Sequence, residues 1–135
     1  MLVLDASALV SFLLADESDE VSGAMLEAVS SEDLIAPRLL RWELLSALAI
    51  AQRRGRLTPG EMPAKLAQFC GLAFTFDDRE PLAGLESELS MARTFEITVY
   101  DAAYLELALR RACRLMTRDQ DLARAANKLG LLWSP

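Results

Sequence analysis

The chain has 135 residues, 53% of them hydrophobic and 25% charged, which fits one domain spanning 1–135 with a sizeable core and no second unit. Its 14 basic residues against 20 acidic ones leave a net charge of −6, which argues against unspecific binding to nucleic-acid phosphates. Histidine is absent, which excludes His-based acid–base catalysis, Ser-His-Asp and Cys-His triads, and His-ligated zinc.

Short β-like runs alternate with longer helical patterns along the chain. MLVLD (1–5) reads as a strand and is followed by ASALVSFLLAD, whose apolar residues recur at helical spacing. A second amphipathic segment runs from about Ser18 to Val29, and DLIAP (33–37) is a short strand stopped by Pro37. The longest helical pattern runs from about Arg38 to Arg54 and stops at Gly55. Thr58-Pro59 with Glu61 starts a helix through about Cys70, Thr58 serving as N-cap and Pro59 standing in the first turn. LAFTFD (72–77) alternates as a strand. A helix over 82–95, another over 101–112, the strand RLMT (114–117), a helix from about Gln120 to Leu129 and a closing strand LLWS (131–134) complete the pattern.

This alternation predicts an α/β fold: a mostly parallel sheet covered by helices on both faces, with its sites beyond the carboxyl ends of the strands. No apolar run reaches the roughly 18 residues of a membrane span, and the start lacks the basic region of a secretory signal. Cys70 and Cys113 match no metal spacing and lie in apolar contexts, so buried, reduced thiols in a cytoplasmic protein are expected.

Four carboxylates stand in awkward places. Asp5 ends the first apolar run, and Glu43 interrupts the apolar face of LLRWELLSALAIA, with Leu40, Ala47 and Ile50 as its helical neighbours. Asp101 opens DAAYLELAL and Asp119 follows RLMTR. Each has a local reading as well. Asp5 or Ser7 could cap the first long helix, Thr98 and Asp101 could form a capping box, and Asp119 or Thr117 could cap the last helix. Glu43 could instead sit at the rim of its helix.

A shared site accounts for all four together. Converging carboxylates repel by about 4 kcal/mol per pair at 4 Å and an effective dielectric near 20. A divalent cation resolves that repulsion and points to phosphate chemistry. Ser7 and Thr117 are hydroxyls placed to orient a carboxylate or a phosphate. The remaining acids, among them Glu20, Glu27, Glu86, Glu88 and Glu106, read as surface charges. The arginines gather at 38/41, 53/54/56, 110/111/114 and 118/124, so an acidic chain can still present a local basic rim.

The blocks LDASALV (4–10), APRLLRWELLSAL (36–48), VYDAAYLELA (99–108) and LMTRDQDLARAA (115–126) together resemble a PIN-domain ribonuclease, and most closely the VapC-type toxins of bacterial toxin–antitoxin pairs. The resemblance spans essentially the whole chain. It implies a three-layer α/β/α sandwich, usually dimeric. It also implies Mg²⁺- or Mn²⁺-dependent cleavage of RNA phosphodiesters by a metal-activated water. Asp5, Glu43, Asp101 and Asp119 are then the acidic metal-binding quartet, supported by Thr117 and Ser7. A cognate antitoxin as partner and inhibitor is implied as well.

Other readings stay open at this stage. A haloacid-dehalogenase-like phosphatase would want a second Asp where Ser7 stands, and a response-regulator receiver would want its acidic pair elsewhere than Asp77-Asp78. A housekeeping RNA-processing nuclease and a domain acting mainly through antitoxin binding are the serious alternatives. The acidic DDREPLAGLESE stretch favours a narrow, structured RNA substrate over generic RNA.

Overall fold

The structure is a computed structural model that describes residues 1–14 and 20–135, and the side chains of residues 20–22 also stay outside it. The acidic run at 16–20 and the start of the second amphipathic segment therefore lie outside the described residues. Four three-residue strands, β1 (Leu2–Leu4), β2 (Leu34–Ala36), β3 (Phe74–Phe76) and β4 (Arg114–Met116), form one sheet in the order β3-β2-β1-β4. Every pairing is parallel, with Leu2 beside both Leu34 and Arg114. β1 and β2 are buried at all three positions, as the inner strands of a sheet covered on both faces should be.

The described helices are α1 (Ala6–Leu13), α2 (Glu20–Ser31), α3 (Leu40–Arg53), α4 (Met62–Cys70), α5 (Leu85–Phe95), α6 (Val99–Arg111) and α7 (Gln120–Lys128). From β1 the chain steps to β2 and then β3 in one direction, and then returns across the sheet to β4. Right-handed crossovers put α1 to α4 on one face and α5 and α6 on the other. The packing agrees: α1 touches α2, α3 and α4, whereas α6 touches α5, α7, β1 and β4. The expected three-layer α/β/α arrangement follows. Strand order reverses between β1 and β4, and that reversal opens a crevice at their carboxyl ends.

Local chemistry explains most element boundaries. Leu40, Leu44, Leu48 and Ala51 form the buried stripe of α3, which ends just before Gly55 at φ 73°. α6 begins at Val99 rather than 101, because Thr98 caps it, and it is buried around most of its circumference. Two expectations need correction. α4 starts at Met62, not at Pro59: Thr58 and Glu61 do exchange the bonds of a capping box, Thr58 N–H to Glu61 Oε2 at 2.7 Å and Glu61 N–H to Thr58 Oγ1 at 3.3 Å, but they close a turn ahead of the helix. LLWS is not a full strand, since only Leu132 bridges in parallel to Leu115.

Among the described residues no helix is long and apolar enough to cross a membrane. Cys70 is exposed, contrary to the buried thiol expected, and Cys113 is half-buried; both are free.

Candidate active site

Asp5 follows β1 directly and is only 4% exposed. Its backbone N–H donates to Met116 O at 3.2 Å, so the ends of β1 and β4 are joined at this residue. Its Oδ1 accepts from Ala8 N–H at 2.9 Å and caps α1. Ser7 Oγ donates to the carboxylate at 2.9 Å, and Thr117 Oγ1 donates to Oδ2 at 2.8 Å. Each hydroxyl has one hydrogen, and both point at Asp5. Their lone pairs then receive backbone N–H groups, Arg118 N–H on Ser7 Oγ at 2.9 Å and Asp119 N–H on Thr117 Oγ1 at 3.0 Å. The loop after β4 is thus wired through two hydroxyls to the carboxylate after β1.

Glu43 lies at the side of the α3 stripe, half-buried rather than within it. Its partner comes from across the sheet layer: Tyr104 Oη on α6 donates to Glu43 Oε2 at 2.6 Å. Tyr104 is 2% exposed. Sequence reasoning missed it, although its position three residues after Asp101, on the same face of α6, was the available signal. Asp101 is held by Thr98, whose Oγ1 donates to Oδ2 at 2.7 Å and accepts Asp101 N–H at 3.0 Å. Asp119 caps α7, accepting Leu122 N–H on Oδ1 at 2.8 Å.

Asp5 and Asp119 therefore do cap their helices, while Asp101 only half completes the capping box, accepting the Thr98 hydroxyl rather than its backbone N–H. These local roles do not compete with a common site, because three of the acids share one electrostatic neighbourhood. Burial raises the Asp5 pKa above the ordinary carboxylate value; Ala8 N–H, Thr117 and Ser7 pull it down, and Asp101 pushes it up. Burial likewise raises Glu43, opposed by the Tyr104 hydroxyl and reinforced by Asp5 and Asp101. The Tyr104 phenol is pushed far up by burial, then by Glu43 and Asp5. Asp119 is linked to Asp5 through Thr117, whose hydroxyl accepts the Asp119 N–H and donates to the Asp5 carboxylate.

The donor set is made of carboxylate and hydroxyl oxygens, with Asp101 raising both Asp5 and Glu43 by like-charge repulsion, which suits a hard divalent cation. Among the described residues no three acidic or cysteine side chains already stand at ligating spacing. Mg²⁺ retains several waters and takes as few as one or two direct carboxylates, so the set fits in chemistry without a closed cage.

Glu106 corrects the sequence reading. It is 7% exposed, not a surface charge, and pairs with Arg79 at 2.6 Å and Arg110 at 3.1 Å. Arg110 and Arg111 also bind Asp77, and Arg111 reaches Asp78 at 3.1 Å. Much of the arginine cluster on α6 and the acidic start of the 77–88 stretch therefore neutralise one another. Arg38, Arg41, Arg53, Arg54 and Arg56 are exposed.

Comparisons with known proteins bear on the family and the fold. The PIN domain family pattern matches residues 2–128. Ribonuclease VapC3 of Mycobacterium tuberculosis is 38% identical over 125 residues, covering 91% of this chain and 85% of its own. Ribonuclease VapC9 of the same organism is 32% identical over 123 residues, covering 91% and 89%. The crystal structure of PAE2754 from Pyrobaculum aerophilum superposes with a TM-score of 0.70 over 92% of this chain and 83% of that one, at 22% identity, a likeness of fold. Matched over nearly its full length in sequence and architecture, the chain belongs to the PIN-domain family, in its VapC group.

Proposed function

We propose that this protein is a metal-dependent endoribonuclease, the toxin of a toxin–antitoxin pair, acting as a homodimer held in check by its antitoxin. The observation that carries the reading is the buried Asp5 carboxylate. It stands at the β1/β4 crevice, hydrogen-bonded by Ser7 and Thr117 and destabilised by Asp101. A structural carboxylate buried at this level is ordinarily matched by a cation. Here no cation is among its principal influences.

Asp5, Asp101, Asp119 and Glu43 would hold Mg²⁺ or Mn²⁺. A bound divalent ion supplies a lowered water pKa and charge neutralisation on a phosphodiester. The chain's own residues do the positioning. Ser7 and Thr117 fix the Asp5 carboxylate in one orientation, and Thr117 fixes the backbone from which Asp119 projects. Tyr104 favours the ionised form of Glu43 by donating to it, against the pull of burial. The relatives named as ribonucleases support RNA as the substrate.

The test is cleavage of RNA by purified protein with Mg²⁺ or Mn²⁺, with and without chelator, beside Asp101→Asn. Metal-dependent cleavage lost in the variant is expected. Cleavage that persists in chelator, or is equal in the variant, would sink the reading.

A further inference from the structure

The first turn of α3 carries a surface feature that the acidic site does not use. Arg38, Arg41, Trp42 and Phe76 line a concavity of about 420 Å³ that contains no acidic residue, in a chain of net charge −6. Trp42 is 62% exposed and Phe76 37%. The Arg41 guanidinium lies 5.7 Å from the Trp42 ring centroid, a cation–π approach that holds the indole in place. Arg38 is steadied through a 3.4 Å bond from its Nε to Asp77 O.

Position links this feature to the acids. Trp42 immediately precedes Glu43, and Phe76 ends β3, so both lie at the strand-end edge that carries Asp5 and Thr117. β3 is two strands from β1, about 10 Å across the sheet. An RNA strand crossing Asp5 would reach this concavity within a short run of nucleotides.

We propose that Arg38, Arg41, Trp42 and Phe76 form a subsite for single-stranded RNA, where one unpaired base stacks on Trp42 and the two arginines hold its flanking phosphates. An exposed aromatic plane beside paired guanidinium groups is what stacking recognition of unpaired nucleotides requires. Two guanidinium groups with no acidic residue among them, in a chain of net charge −6, make charge complementarity favour the phosphates of an RNA strand. The subsite rests on the RNA-directed reading above and adds to it where the substrate strand runs. It also narrows the expected target from a structured RNA to one that presents an unpaired segment.

The experiment titrates the intact protein in chelator with short oligoadenylate, reading tryptophan fluorescence and, separately, anisotropy of a labelled oligomer. Cleavage with Mn²⁺ is measured in parallel. We expect quenching by the single strand and little by a duplex of equal length. Trp42→Ala should weaken binding by about 5- to 150-fold, with Trp42→Phe close to wild type. Arg38→Gln with Arg41→Gln should lower the slope of log affinity against log salt by about 1.4. Unchanged affinity in Trp42→Ala overturns the subsite, whatever the cleavage assay shows. A change in oligomeric state of Trp42→Ala without loss of RNA affinity also overturns it, and assigns the patch to a protein interface. Trp42-dependent binding without any cleavage upholds the subsite and counts against the nuclease.

Discussion

Thr117 at the end of β4 donates its only hydroxyl hydrogen to Asp5 at the end of β1, across 2.8 Å and the reversal point of the sheet. The same oxygen accepts Asp119 N–H at 3.0 Å, so one side chain sets both the ionisation of Asp5 and the path of the backbone to Asp119. Thr117→Val keeps the shape and removes both roles. We expect a stability loss of about 1–3 kcal/mol from the lost bond to the buried carboxylate and the orphaned Asp119 N–H. The acid limb of the pH–activity profile should move to higher pH, since a lowering influence on Asp5 is gone. Thr117→Ser should restore both. A Val variant with wild-type melting and an unmoved profile would show that the bond is incidental.

The Tyr104–Glu43 pair makes a second test. Tyr104→Phe removes a 2.6 Å donor to Glu43 and leaves burial and the charges of Asp5 and Asp101 to raise the carboxyl further. The acid limb of the pH–activity profile should move to higher pH, since a lowering influence on Glu43 is gone. In a double-mutant cycle with Glu43→Gln, melting experiments should give a coupling of about 0.5–3 kcal/mol. Additive effects would mean that the two side chains act independently.

The order of strands and helices was legible because apolar runs of three to five residues alternate with 3.6-period patterns, and Gly55 marked a true stop. The four acids were legible as misfits, each in an apolar or strand-end context. Their partners were not. The Tyr104–Glu43 contact joins residues 61 apart in sequence, and the Thr117–Asp5 contact joins residues 112 apart. Nothing in a single sequence fixes such pairings before topology does. Glu106 failed for the opposite reason. Leu105 and Leu107 beside it are buried, but only the fold shows that α6 is covered nearly all round, and that Arg79 arrives from the loop after β3.

That Glu106 network supplies a stability prediction independent of the acidic site. Removing one partner of a buried ion pair leaves the other charges uncompensated, at a cost of about 3–5 kcal/mol. Glu106→Ala strands Arg79 and leaves Arg110 with Asp77 alone, so its denaturant midpoint should fall. Metal-dependent cleavage per folded molecule should stay near wild type at low temperature. A small effect on the midpoint would show that the two arginines find water or Asp77 instead.

Asp5→Asn separates stability from function, and the sign follows from its raised pKa. A carboxyl with a folded pKa above its unfolded value is bound by more protons in the native state. Stability is then highest below the unfolded value and declines as pH rises through the window up to the folded value. Above the folded value the wild type bears that penalty in full. The neutral amide does not, and the Ser7 and Thr117 hydroxyls can rotate to accept from it. In chelator the variant should therefore melt at or above wild type near pH 7, and its advantage should shrink toward the usual carboxylate range. Adding Mg²⁺ or Mn²⁺ reverses the ranking. At a hundred times its Kd an ion that binds only the folded form contributes about 2.7 kcal/mol, on the order of 10 °C in Tm, and only wild type should gain it. Melting scans across pH, with and without the ion, read both effects at once. An Asn variant that melts far below wild type in chelator would make Asp5 a structural cap first, and a wild type indifferent to both ions would leave the carboxylates without a metal to hold.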